Sequence, residues 1–210
     1  MLMKRHEYEG NWKRFIIYTL VVGLIVGMFS VISDNLPDLS DGVTVPEFII
    51  SYLAVMINSL PFWFIFAMFV GVIFGRGMKE SILFATIYTI TAISLYFVVS
   101  NFYEDVPVKV SFNEKVITYA VWYGSSILGG IIGGISGFLI KKTPFILLII
   151  PLGLILQLFL NGKSSWSDIV GIAQNVTYCL IIISIVIYLG IVKKKRKDAY
   201  RLDSEEVHIK

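Results

Sequence analysis

Apolar residues run along this chain in six blocks, 15–33, 47–75, 81–99, 116–140, 144–160 and 168–192, and none of them contains Lys or Arg. At about 1.5 Å per helical residue, each crosses or nearly crosses a hydrocarbon layer about 30 Å thick. The pattern predicts an all-α fold: a polytopic membrane protein built as a bundle of six transmembrane helices over residues 15–192. An N-terminal segment, 1–14, and a basic tail, 193–210, flank the bundle.

Two blocks are interrupted. The second has 29 residues, which would make a helix of about 43 Å, and Asn58, Ser59 and Pro61 sit near its middle. Pro61 has no amide to donate and crowds the carbonyl one turn earlier. Asn58 and Ser59 are local donors for the freed carbonyl. The fifth block opens on Thr143 and Pro144, which read as an N-cap followed by proline at the first helical position. Pro151 falls inside that block, with Gln157 beyond it. The second and fifth helices are therefore expected to be kinked by proline. A tilted, kinked span is one reading of the second block. A discontinuous helix whose backbone helps bind a solute is the other. Prolines in the middle member of each half also suit an inverted repeat, but the halves share no residue-by-residue similarity, and coincidence is the simpler account.

Charge sets the orientation. With the N-terminus inside, inner segments hold fifteen basic residues and outer segments three, Lys109, Lys115 and Lys163. Such a bias places both termini in the cytoplasm. The first block ends without a small-residue cleavage site, which favours an uncleaved span over a signal peptide. The run Lys193-Lys194-Lys195-Arg196-Lys197 follows the last block directly and suits anionic lipid headgroups, at about 1 kcal/mol per basic residue. Nucleic-acid binding is not expected, since the tail lacks an accompanying fold and aromatic readers. Residues 198–210 read as a mobile, mixed-charge run with a short helical turn at most. The outer acids Asp34, Asp38, Asp41, Glu104 and Asp105 draw cations to a vestibule or simply populate outer loops, where acids are tolerated.

Small residues recur every four positions. Ser125, Gly129, Gly133 and Gly137 form one row of the fourth block, and Ser126, Gly130 and Gly134 form the next. Gly23 and Gly27 repeat the spacing in the first block, as do Ala67, Gly71 and Gly75 in the second. Stacked on one helix face, such residues let another backbone come close. The fourth helix is thus expected to be central, packed within the chain or across a homodimer seam.

Four amides, Asn58, Gln157, Gln174 and Asn175, fall at comparable depth in the outer half. They face a shared cavity or bond one another across helices. Trp12, Tyr18, Phe102, Tyr103, Tyr119, Trp122 and Trp166 lie near block ends, where amphipathic rings settle at headgroup depth. Trp63 lies near the predicted kink instead. It packs against lipid and helices or forms the aromatic wall of a pocket. The expected ligand-binding set is Asn58, Ser59, Trp63, Gln157 and Asn175.

Catalytic chemistry has no visible machinery. The two histidines, His6 and His208, sit in opposite tails, so no Ser or Cys nucleophile has a base near it in sequence. No metal-ligand spacing and no phosphate-cradling GxxxxGK[ST] occurs. Cys179 is the single cysteine, a small packing residue that forms no intrachain disulfide. Asp168, after Ser167, suits an N-cap for the sixth helix. No enzyme activity, metal or cofactor is expected.

The broken second block, with Asn58, Ser59, Pro61 and Trp63, followed by the run Gly129-Gly130 to Gly133-Gly134 to Gly137, resembles small bacterial membrane proteins of unknown function across residues 15–192. That resemblance implies a six-helix bundle in a bacterial inner membrane and supplies no activity. Two function classes stand. One is a small-solute binding or transport subunit with a pocket near the residues above. The other is a non-transporting accessory, immunity or stress-response protein acting through helix–helix contacts with other membrane subunits.

Overall fold

In a computed structural model, residues 2–36, 43–103 and 112–207 are described, with side chains over 11–36, 43–103 and 112–197. Asp38, Asp41, Glu104, Asp105 and Lys109 lie outside the described residues. All the regular structure among the described residues is helical. The order is α1 (Leu2–Asp34), α2 (Val45–Asn58), α3 (Leu60–Phe74), α4 (Met78–Tyr103), α5 (Phe112–Ile140), a 3₁₀ turn (Pro144–Leu148), α6 (Ile149–Asn161) and α7 (Ile169–Val207), with a short 3₁₀ turn (Ser164–Trp166) before α7.

Five stretches are individually long and apolar enough to cross a membrane: Asn11–Asp34, Met78–Tyr103, Phe112–Ile140, Pro144–Asn161 and Ile169–Lys197. The second block differs from a simple kinked helix. It forms two helices, α2 and α3, bent by 66° at a break. The break falls at Ser59, which is extended (φ −71°, ψ 143°) and caps both helices. Pro61 is then the second residue of α3, where its missing amide forfeits no helical bond. Proline here starts a helix rather than bending one. Ser59 supplies the donor: its amide and hydroxyl both reach the Met56 carbonyl, at 3.2 and 2.7 Å. The fifth block behaves similarly. Pro144 opens the 3₁₀ turn after an extended Thr143 whose side chain makes no cap bond. Pro151 is the third residue of α6, again within a first turn that needs no amide partner. The tail carries more helix than the expected short turn, because α7 continues through Val207.

Contacts fix the direction of neighbouring helices. Along α1 and α4, Phe15 meets Phe84 with rings 4.5 Å apart, Gly23 faces Ala92 and Gly27 faces Tyr96, so the two run parallel. Between α4 and α5 the order reverses. Gly134 faces Ile82, Gly130 faces Thr86, the Thr89 hydroxyl donates to the Ser126 carbonyl at 2.8 Å, and Tyr119 meets Phe97 at 4.5 Å. The α3–α5 pair is parallel, with Ala67 at Gly133, Gly71 at Gly137 and the Lys141 ammonium on the Gly75 carbonyl. Asn11 donates to the neighbouring Phe74 carbonyl at 3.1 Å. Together they satisfy the last carbonyls of α3, which have no partner within the helix.

The glycine rows pack as backbone-to-backbone seams. A Cβ on Gly134 would stand 2.6 Å from the Ile82 Cα, and one on Gly27 would stand 2.9 Å from the Tyr96 amide nitrogen. A Cβ on Gly71 would stand 3.1 Å from the Gly134 Cα, one on Gly23 would stand 3.2 Å from Leu95 Cδ1, and one on Gly75 would run into Ser81. The expectation that the fourth span is central is corrected, however. α4 lies against α1, α3 and α5, and α3 touches α2, α4, α5 and α6. α5 keeps Ile117, Val121, Leu128 and Ile132 exposed, so it is a flank whose small-residue face alone turns inward. Two of the expected interface aromatics are half-buried against neighbouring helices. Trp12 packs on Phe84 at 4.8 Å and Tyr18 on Phe74 at 5.4 Å, beside buried Phe15 and Tyr88.

Candidate functional site

The α2–α3 break meets the C-terminal end of α1. Asn58, the last residue of α2, donates through Nδ2 to Asp34 Oδ1 at 3.0 Å, and the Tyr96 hydroxyl donates to Asp34 Oδ2 at 2.7 Å. Three helices, α1, α2 and α4, are thereby tied at one carboxylate. Next to it opens a cavity of about 320 Å³ between α3, α4 and α5. Trp63 and Phe64 of α3 form one wall, Thr89 and Ile93 of α4 the back, and Trp122, Ser125, Ser126 and Gly129 of α5 the other wall.

The cavity arises from the register of α3 on α5. One turn before the Ala67–Gly133 contact, α3 presents Trp63 and α5 presents Gly129, both of which line the space. Two residues further back α3 is at its first turn and the chain departs into α2. On the α3 side, no described helix continues alongside the Ser125–Gly129 end of the stripe, while α4 stays in contact through Thr89 and Ser126. Gly129 therefore departs from its expected packing role: a Cβ there would meet nothing within 4 Å. Leu60 is 64% and Trp122 47% exposed, and Asp34 is exposed as well, so the cavity is open on the side of the bundle between α3 and α5 and at its Asp34 end.

The predicted site residues do not share one cavity. Asn58 and Trp63 line it. Ser59 is buried and committed to the Met56 carbonyl. Gln157 borders a separate apolar groove between α3 and α6, walled by Leu60, Pro61, Phe64 and Gly153. Its amide donates to Asn161 Oδ1 at 2.8 Å. Asn161 in turn donates to Gln174 Oε1 and Asn175 Oδ1, at 3.2 and 3.1 Å. Gln174 reaches the Val55 carbonyl and the Tyr178 hydroxyl, and Asn175 reaches the Ser165 carbonyl and hydroxyl. Three of the four amides thus form a closed network across α2, α6 and α7, while Asn58 stands apart on Asp34. Asp168 caps α7, accepting the Gly171 amide at 2.7 Å.

Compared with protein-family models, curated proteins and solved structures, the chain shows no match. The site is therefore read from its own chemistry.

Sequence reasoning missed Asp34, Tyr96 and Trp122 at the cavity, having placed Asp34 among loop acids and Trp122 in the interface belt. Their convergence is set by the α1–α4 and α4–α5 registers, which no local motif spells out. Ser125 and Gly129 did carry a signal, the small-residue period, but that period reads the same whether or not a helix covers it. Among the described residues no group of three or more His, Cys, Asp or Glu is arranged to hold a metal ion.

Proposed function

We propose that this is a six-span membrane protein whose cavity at the α2–α3 break binds a small solute, as the binding or transport subunit of a bacterial cell membrane. The carrying observation is the cavity itself: about 320 Å³ walled by Trp63 and Trp122 and edged by the Asn58–Asp34–Tyr96 cluster. Apolar walls with a few placed polar groups are the usual make-up of a small-molecule site. A helix broken at Ser59 suits the discontinuous helices on which many transporters build their sites. In this reading α2 and α3 make one broken span and both termini face the cytoplasm. The Lys193–Lys197 run sits on anionic headgroups, and the chain carries out no covalent chemistry.

A second reading has its own support. The amide network around Asn161 is satisfied within the protein, and the glycine seams are closed. Both suit a rigid accessory, immunity or stress-response protein that works through helix contacts with other membrane subunits or as a homodimer.

A thermal-shift survey of the purified chain against a solute panel separates them. A solute that raises the melting temperature of the wild type, and fails to do so for folded Trp63→Ala and Asn58→Ala, supports the first reading. Equal loss of folding and binding in those variants supports the second. Tags at the two ends reporting opposite faces of the membrane would overturn the topology.

A further inference from the structure

We infer that the cavity selects an organic cation with an apolar body, such as an alkyl- or arylammonium ion. This deepens the proposed solute-binding reading and rests on it.

Charge comes first. Among the described residues Asp34 carries the one carboxyl at the cavity, and neither Lys, Arg nor His lines it. The described partners of Asp34, Asn58 and Tyr96, are uncharged donors that fix its position. Asp34 is also the last residue of α1, and Asn58 the last of α2. Two helix C-termini, each bearing partial negative charge, therefore meet at that carboxylate. The N-terminus of α3 starts at the same break and offsets one of them, so the carboxylate stays unopposed. A cation placed there gains from the carboxylate and from the α1 C-terminus, and it displaces no resident one among the described residues.

Aromatic faces come second. Trp63, Trp122, Tyr96 and Phe64 surround the space beside the carboxylate. Indole and phenol faces attract a cation electrostatically, and quaternary ammonium groups suit such walls because their charge is spread over apolar carbon. An anion would meet the negative faces of these rings and the Asp34 carboxylate together. A sugar or other polyol would find few polar partners, since Thr89, Ser125 and Ser126 supply the remaining hydroxyls.

Access comes third. Part of the opening lies between exposed Leu60 and Trp122, on the apolar flank of the bundle, and Asp34 is exposed at the end of the cavity. A ligand with an apolar body can enter from the lipid side with its head directed at Asp34. The ammonium group itself has two sources, a free amine or a lipid headgroup.

Calorimetry on the full chain in a neutral detergent tests the assignment, using benzyltriethylammonium, its uncharged carbon isostere and benzenesulfonate as probes. Tryptophan fluorescence reports entry, because Trp63 and Trp122 line the space while Trp12 and Trp166 do not. The cation is expected to bind about tenfold or more tightly than the isostere, with benzenesulfonate weaker than both. Asp34→Asn should bring cation and isostere to equal affinity. The wild-type comparison holds even if that variant fails to fold. Equal affinity of cation and isostere for the wild type would overturn the cation assignment and leave a solute site standing. Absence of binding by every probe would remove the solute-binding reading as well. In nanodiscs, competition by added phosphatidylethanolamine identifies a lipid headgroup as the source and lack of competition a free amine, and cation recognition is supported in either case.

Discussion

Gly133 and Gly129 stand one turn apart on the same face of α5, yet a Cβ on Gly133 would press on Ala67 at 2.8 Å and one on Gly129 would meet nothing within 4 Å. What separates them is the opposite helix. α3 offers Ala67 to one and Trp63 to the other, and just beyond Trp63 it ends at the Ser59 break, with α2 leaving at 66°. Small residues with a partner make a dry seam, and small residues without one make a cavity. The same four-residue period thus supports both a rigid half and an open half of one helix pair.

Gly134→Leu strikes the closed half hardest. Its Cβ alone would meet the Ile82 Cα and the Ser81 carbonyl oxygen at 2.6 Å, and both are backbone atoms that cannot swing aside. Overpacking of a tight core costs about 1–3 kcal/mol and more where backbones must part. The expected result is loss of monodisperse protein in detergent. A variant with the wild-type melting temperature would mean that the seam between α4 and α5 is not closed.

Asn161→Ala probes the amide network, which belongs with the closed regions. Asn161 accepts from Gln157 and donates to both Gln174 and Asn175. Its removal leaves those groups short of partners, at about 1–3 kcal/mol in all. A lowered melting temperature with probe binding intact is expected. Unchanged stability with lost binding would move these amides into the ligand site.

Much of the closed half was legible before any coordinates. The spacing of Gly71, Gly75, Gly133 and Gly137 marks a face on which another backbone can come close, and at these four positions one does. Six apolar blocks likewise announced a helical membrane protein, since residue hydropathy is local information. Asn58 and Trp63 stood out at the cavity because polar and aromatic residues beside a proline mark a weak point in a helix. The exact break did not follow from Pro61. Proline disfavours a helix interior but is welcome in a first turn, so the chain broke ahead of it at Ser59. Asp34 was illegible for a different reason. It lies 62 positions from Tyr96 and 24 from Asn58, and its role exists only once α1 and α4 are in register.

Tyr88→Phe should have a smaller effect, of opposite sign. The Tyr88 hydroxyl is fully buried between α1 and α4 and makes no hydrogen bond. Deleting an unsatisfied buried hydroxyl removes its desolvation penalty, so the melting temperature should rise, by the equivalent of about 1 kcal/mol. A fall instead would place a bound water or another partner at that hydroxyl, and the closed half would be less dry than its packing indicates.

Gly129→Leu sharpens the comparison most while disturbing stability least. The side chain would extend into the cavity between Trp63 and Trp122 rather than into backbone, and a glycine lost from a helix interior favours the helix by up to about 1 kcal/mol in water. Stability is therefore expected to stay within about 0.5 kcal/mol of the wild type, the range of substitutions that touch nothing. Leucine would nevertheless occupy the space that a solute needs, so binding of benzyltriethylammonium should be lost. Set beside Gly134→Leu, the result isolates the cavity from the seam: one substitution removes the fold, the other only the ligand. If both variants unfold, the uncovered end of α5 is packed in the membrane by something else, and a second copy of the chain seated on Gly129 becomes the reading to test by cross-linking.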